Sequence, residues 1–226
     1  CIAVRVKSRT AYSRVRIEVA ETPFFSRSVS EFVLNRPRTE YTIYPDIIWN
    51  YEALKNNVQA EPVSVAVKVE MNGDDLGQRV RTFSVRSINE CLLGYVANGT
   101  KFYDTSIFFA AYVNEENPMI DQLLREALNT RIVNRFLGYQ SQAKGVVDKQ
   151  VYALWNILQK RKFRYSSVSN TSLSSNVVFS QRVRTFDDAL DSSQINCVDG
   201  SVLFASLLRS INIDPILVRT PGHMFV

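Results

Sequence analysis

A cysteine near the end of the chain stands in a setting that suits covalent chemistry. Cys197 lies just before an amphipathic helical run, among the polar residues Gln194 and Asn196. The only histidine of the chain, His223, follows after a turn and two short apolar segments. Because a thiol becomes a competent nucleophile when an imidazole base can take its proton, this order predicts Cys197 as a nucleophile and His223 as its base.

The helix predicted after Asp199 places the thiol at a helix N-terminus. Helical spacing is kept by the apolar residues Val202, Leu203, Leu207, Leu208 and Ile211. The positive end of the helix dipole and the unpaired N–H groups there favour the thiolate and can hold an oxyanion. Asp199 is expected to cap the first turn of this helix.

Ordinary structural roles remain open for both residues. An unpaired cysteine is most often a small buried residue, and a lone histidine is most often a structural one. A cysteine in a hydrophobic core rarely has several polar residues close to it in sequence. Cys197 has four, which favours a role as nucleophile: Gln194, Asn196, Asp199 and Ser201.

The first half of the chain alternates apolar and polar residues with the period of β-strands. Two such runs, 63–69 and 79–86, flank a turn cluster at 71–77 and predict a hairpin. Further strands are expected at 25–34 and 38–44, joined to the next run by a short helical or irregular connection at 46–51. Several short strands over about a hundred residues predict a β-sandwich.

The pattern changes to helical spacing near residue 115. Asn117 is a good N-cap with Pro118 at the first helical position, and a second helix is predicted from near Asp148. The sequence therefore predicts an α+β chain with domains at 1–115 and 116–226. Residues 165–180 are expected to form a long loop at the wall of a cleft, and 185–190 a capped helical turn that leads to Cys197.

The segment from about Asn117 to Val226 resembles the core of the transglutaminase-like superfamily. The resemblance is carried by three short motifs: Phe163-Arg164-Tyr165, Cys197-Val198-Asp199-Gly200 and Pro221-Gly222-His223. It implies a papain-like core of helices packed on an antiparallel sheet, with Cys197 as nucleophile and His223 as base. The family's third catalytic residue is an Asp on a later strand, which is expected beyond Val226 with the remaining strands of the core, so no third member is assigned here.

The resemblance also implies a function and a location. Bacterial members often carry an immunoglobulin-like module before the core, which the strand-rich first half resembles, and a cell-envelope or extracellular location is expected. The implied activity is a thiol acyltransferase or amidase acting on glutamine carboxamides or peptide amides of a protein or peptide substrate. A papain-like cysteine peptidase is one alternative. A catalytically inert binding or scaffold module is another, favoured by Ile195 and Val198, which stand where the family usually has Gly and Trp.

Composition narrows the other classes of function. A net charge of +5 comes from cations spread along all 226 residues, with one cluster at 160–164 where a helix should end, so no nucleic-acid partner is expected. No apolar run is long enough for a membrane span.

The three cysteines, Cys1, Cys91 and Cys197, have neither disulfide-framework nor metal-ligand spacing, and no cofactor is expected. Cys91, next to two leucines, is expected to be buried and inert. Cys1 is compatible with a lipidated N-terminus. The strand expected from Ile2 instead favours a sequence that was cut from a longer protein. The sequence does not indicate an oligomeric state.

Overall fold

A computed structural model describes residues 2–57, 59–141, 143–166 and 176–226 of the chain, so Cys1 lies outside the described residues. Helices make up about 29% and strands about 36% of it, with several antiparallel sheets, which confirms the α+β class. The chain divides into two units, Cys1–Ile88 and Asn89–Val226.

The first unit consists almost entirely of strands. Its elements are β1 (Val4–Lys7), β2 (Ser13–Val19), β3 (Phe25–Ser26), β4 (Ser28–Leu34), β5 (Glu40–Ile43), β6 (Ile48–Trp49), α1 (Tyr51–Asn56), β7 (Glu61–Met71) and β8 (Asp74–Val85). An antiparallel sheet has the order β4-β2-β7-β8, and β1 pairs with β5 while β3 pairs with β6. The predicted hairpin is confirmed as β7 and β8, whose turn uses the left-handed residues Asn72 and Gly73 (φ 55° and 94°). Period-two alternation buries one face of β2, including Val15, Ile17 and Val19.

The second unit combines helices with short sheets. Its elements are β9 (Glu90–Ala97), β10 (Lys101–Asp104), a 3₁₀ helix (Ser106–Tyr112), α2 (Pro118–Asn129), α3 (Val146–Lys160), β11 (Arg164–Tyr165), β12 (Val178–Arg182), α4 (Phe186–Ser192), β13 (Gln194–Ile195), α5 (Cys197–Ser210), β14 (Val218–Thr220) and β15 (His223–Phe225). An antiparallel sheet has the order β10-β9-β12, β14 pairs antiparallel with β15, and β11 pairs parallel with β13.

The division between the two units falls after Ile88, whereas the sequence predicts it near residue 115. The physical reason is the pairing of β9 with β12, in which Cys91 lies opposite Gln181. β9 and β10 therefore belong to the sheet of the second unit. Alternation identifies a strand, but it does not identify the sheet that the strand joins.

Local capping chemistry starts the helices where the sequence predicts them. Asn117 Oδ1 accepts a hydrogen bond from the N–H of Met119 (2.9 Å), with Pro118 as the first residue of α2. Thr185 Oγ1 accepts one from the N–H of Asp188 (3.2 Å) at the start of α4. Both predicted caps are confirmed, and α3 begins at Val146, close to the predicted start.

Two expectations about connections need correction. Both ends of the predicted loop at 165–180 are strand: Tyr165 is the last residue of β11, and β12 begins at Val178 and pairs with β9. Residues 167–175 of that loop lie outside the described residues. The strand expected at 216–218 forms instead at Val218–Thr220, where the turn at Pro221 and Gly222 lets it pair with β15.

Helix α5 runs through the core of the second unit. It packs against α2, α3, α4, β13 and β15. Its apolar side chains Val202, Leu203 and Leu207 are fully buried. Among the described residues, none of the helices combines the length and the apolar character that crossing a membrane requires.

Candidate active site at the start of helix α5

Cys197 is the first residue of α5, as the sequence predicts. The preceding residue, Asn196, is the N-cap, and its Oδ1 accepts a hydrogen bond from the N–H of Asp199 (2.8 Å). Asp199 Oδ2 accepts one from the N–H of Asn196 (3.0 Å), which completes a capping box. The predicted capping role of Asp199 is confirmed, and the box fixes the backbone that carries the thiol.

The thiol of Cys197 lies at the edge of the core, half-buried. The N–H groups of Cys197 and Val198 have no acceptor inside the helix, because the first-turn donors of an α-helix lack intrahelical partners. Nδ2 of Asn196 is buried and has no hydrogen-bond partner within the described part of the chain. The start of α5 therefore offers open donors to a carbonyl oxygen that becomes negative.

Tyr165 lies beside Cys197 because of a short parallel pairing. β11 pairs with β13 so that Tyr165 stands opposite Ile195, two residues before the thiol. The negative charge of a Cys197 thiolate raises the pKa of Tyr165, and slight desolvation and a hydrogen bond with Cys197 add to the effect, although 68% of Tyr165 is exposed. Sequence reasoning did not assign Tyr165 to the site. The Phe-Arg-Tyr motif carries part of the resemblance, but nothing local indicates that its tyrosine reaches the cysteine.

We expect the Tyr165 hydroxyl to stabilise the thiolate, so Tyr165→Phe should slow alkylation of Cys197 at neutral pH by about five- to tenfold. Iodoacetamide labelling followed by mass spectrometry of the Cys197 peptide measures the effect. Tyr152→Phe, at an exposed tyrosine on α3, is the matched control. Equal slowing by the two substitutions would contradict the role of Tyr165.

His223 begins β15, the strand that packs against α5. Its imidazole is exposed and stacks on Phe225, with ring centroids 6.4 Å apart. The structure thus brings the elements that carry Cys197 and His223 together. Among the described contacts, however, none joins Sγ of Cys197 to the imidazole.

The polar residues around Cys197 are more buried than the sequence indicates. Asn196, Asp199 and Ser201 are buried, so their polarity does not place the thiol in solvent. Ser201 Oγ donates to the Cys197 carbonyl (2.7 Å). Asp199 forms an ion pair with Arg184 at 2.6 Å, with side-chain exposures of 1% and 14%. This pair was not predicted, because the two residues come from different elements.

A cavity of about 850 Å³ in the same unit lies away from the thiol. It is lined by Ala205 and Arg209 on α5 and by Met224 on β15. Since side chains alternate along a strand, Met224 and His223 lie on opposite faces of β15. Neither Cys197 nor His223 lines this cavity, so it is not the site of the predicted chemistry.

Cys91 differs sharply from Cys197. It is buried in the core on β9, with an exposure of 2%, as predicted. Burial raises the pKa of its thiol to about 11. Within the described ranges, no group of three or more His, Cys, Asp or Glu residues is placed to hold a metal ion.

The chain matches no protein-family model, and searches of the curated proteins and of the solved structures found no match. A functional assignment therefore rests on the residues and the geometry at the start of α5.

Proposed function

We propose that the chain is a thiol acyltransferase or amidase of the transglutaminase-like class, acting on glutamine carboxamides or peptide amides. The observation that carries the proposal is the position of Cys197, half-buried at the start of the 14-residue helix α5 and beside Tyr165. The helix N-terminus and a neighbouring phenol both favour a thiolate.

In the proposed reaction, Sγ of Cys197 forms a bond to the amide carbon after His223 takes the thiol proton. The C–N bond then breaks, and His223 gives that proton to the leaving nitrogen. An amine or water attacks the resulting thioester, its proton passes through His223 to the thiolate, and the C–S bond breaks. The N–H groups of Cys197 and Val198 are the proposed donors to the oxyanion.

His223 is the proposed base for two reasons: it is the only histidine of the chain, and β15 packs against α5. The proposal requires substrate binding to bring the imidazole within hydrogen-bond distance of the thiol. Met224 is the residue of β15 that packs into the core with α5, and His223 lies on the opposite face of that strand, so the proposal requires a rearrangement of β15 when substrate binds.

The proposal includes a finer assignment of both units. In the first unit, β2, β4 and β7 share one buried core with β1, β3 and β5, which supports an immunoglobulin-like sandwich. In the second unit, a helix with the thiol at its start packs against antiparallel strands, which supports a papain-like or transglutaminase-like core. Function is argued from the site and not from either fold.

The test is incubation of the full chain with a glutamine-containing peptide, with and without a primary amine. We expect ammonia release and, in the intact mass, a covalent acyl adduct on Cys197. A product that carries the amine indicates transfer, and a glutamate product indicates hydrolysis. The absence of ammonia and of an adduct, both with this peptide and with peptide amides, would overturn the proposal.

Matched variants assign the chemistry to residues. Cys197→Ala should abolish the adduct and the turnover, whereas Cys91→Ala should leave both in place because Cys91 lies in the core on β9. His223→Gln should lower turnover by about 10²- to 10⁴-fold, the usual contribution of general acid–base catalysis.

A catalytically inert binding module is the second candidate. It is favoured by the lack of a described contact between Sγ of Cys197 and the imidazole of His223. A thiol that reacts with iodoacetamide but forms no acyl adduct with any amide substrate would favour this candidate.

A further inference from the structure

The carboxylate of Asp199, at the third position of α5, accepts three hydrogen bonds. Its Oδ2 accepts from the N–H of Asn196 (3.0 Å) and from Nη1 of Arg184 (2.6 Å). Its Oδ1 accepts from the backbone N–H of Arg184 (2.8 Å). With 1% of the side chain exposed, solvent screens this charge little, and Arg184 is its counterion.

Arg184 also reaches the segment that carries Tyr165. Its Nη2 donates to Oγ of Ser166 (3.1 Å), and the N–H of Ser166 donates to the carbonyl of Ile195 (2.9 Å). Arg184 itself lies between β12 and α4. A single guanidinium therefore ties together the end of β11, the junction of β13 with α5, and the connection from β12 to α4.

The charges of Asp199 and Arg184 affect how readily the Cys197 thiol loses its proton. Asp199 is two residues from Cys197, so an uncompensated carboxylate there would oppose formation of a thiolate. The carboxylate is also needed, because it forms half of the capping box. A cation paired with Asp199 meets both requirements, because it neutralises the negative charge and leaves the carboxylate in place in the capping box.

We propose that Arg184 is a positioning residue for Cys197: it neutralises the Asp199 carboxylate and holds Ser166, so that the first turn of α5 can carry a thiolate next to Tyr165. A role for Arg184 in turnover rests on the function proposed above. Alkylation of the thiol needs no amide substrate, so failure of this inference and failure of the proposed function are distinguishable.

The pH dependence of iodoacetamide alkylation at Cys197 tests the inference in the full chain. In Arg184→Gln, the midpoint of the pH–rate profile should move to higher pH by about one unit, because a buried carboxylate near the thiol loses its counterion. In Asp199→Asn, which keeps an acceptor for the capping box, the midpoint should move to lower pH by a similar amount. In the double variant, the midpoint should lie close to that of the unchanged protein.

The opposite directions separate an electrostatic role from a merely structural one. If the substitutions only loosened the site, the midpoints of Arg184→Gln and Asp199→Asn would shift in the same direction. That result, or two unshifted midpoints, would overturn the inference. Arg184→Lys keeps the charge and should keep the midpoint. If Arg184→Gln does not fold, the double variant decides the question: its midpoint should lie about one pH unit above that of Asp199→Asn, and equal midpoints in these two variants would overturn the inference.

A matched control breaks another ion pair on the same helix. Arg209 pairs with Glu115 at 2.7 Å near the end of α5, and Arg209→Gln should leave the midpoint unchanged. The other ionisable groups near the start of α5 or on its neighbours α4 and β15 are the same in every variant: Arg164, Tyr165, Asp187, Asp188, Asp191 and His223. So are those on the 3₁₀ helix, α2 and α3, which also pack against α5: Tyr112, Asp121, Arg125, Glu126, Asp148, Lys149, Tyr152 and Lys160. The contributions of all these groups cancel in the comparison.

Discussion

Iodoacetamide at pH 7.5 should alkylate Cys197 at least about 100-fold faster than Cys91. The thiolate is the reactive form of cysteine. With a pKa raised by burial to about 11, Cys91 is only about 0.03% thiolate at this pH, whereas an ordinary thiol is about 10% thiolate. Cys197 adds partial exposure, a helix N-terminus and the neighbouring Tyr165, all of which favour reaction.

The pH dependence gives a second readout of the same difference. Labelling of Cys91 should rise about tenfold per pH unit up to about pH 11, because the thiolate fraction grows until the pH reaches the pKa. A heavy-isotope reagent chased by a light one under denaturing conditions, with each cysteine peptide quantified separately, measures both rates. In urea the two cysteines should react at similar rates, which serves as the internal control. Equal rates in the folded chain would show that the helix terminus does not activate Cys197.

The parts of the structure that the sequence predicts correctly are those encoded by nearby residues. Asn117 and Thr185 begin their helices with side-chain caps, and Asn72-Gly73 forms the hairpin turn. In each case a side chain and a backbone group within a few residues decide the conformation. Cys197 at the start of α5 belongs to this group, so the central residue of the candidate site was predictable.

The missed features depend on contacts between distant segments. The pairing of β9 with β12 moves the division between units to Ile88, and no local pattern specifies a strand's partner. The pair of Arg184 and Asp199 joins two elements across a turn, and it is what allows Asp199 to be buried. Tyr165 reaches Cys197 through the two-residue pairing of β11 with β13, which is too short to leave a periodic signal.

The same limit explains why the site was predicted only in part. Spacing along the chain places Cys197 on a helix and His223 on a strand, and both placements are observed. The distance between the two side chains depends on how β15 lies against α5 and on the face that each residue occupies. Residue types do not carry this information, so the catalytic pairing stays a proposal that the acyl-adduct experiment tests.

Gln150 provides the second prediction with a large effect, because it is a fully buried polar side chain that holds a loop. Its Oε1 accepts from the N–H groups of Leu137 (2.6 Å) and Gly138 (3.0 Å). Its Nε2 donates to the carbonyl of Gly138 (3.1 Å) and to that of Val146 (3.3 Å). A buried polar group that loses its partner costs about 1–3 kcal/mol, so removal of this amide should be costly.

Gly138 explains what the Gln150 contacts achieve. Its φ is 53°, and a Cβ at this position would lie 2.7 Å from the carbonyl oxygen of Ile211, which directly follows α5. The loop therefore packs its backbone directly against the end of the helix that begins with Cys197. Gln150 fixes this close approach from α3, so the contacts of this one side chain anchor the far end of α5.

We therefore expect Gln150→Leu to lower the free energy of unfolding of the second unit by about 3 kcal/mol or more, because Leu fills the space but leaves the Leu137 and Gly138 backbone groups unsatisfied. Urea unfolding followed by the fluorescence of Trp155 on α3, in a Trp49→Phe background, reports on this unit alone. Gln159→Leu is the matched control, since Gln159 is an exposed residue of the same helix, and its effect should stay within about 0.5 kcal/mol. Similar losses in the two variants would mean that helix composition, and not the buried amide, determines the stability of this unit.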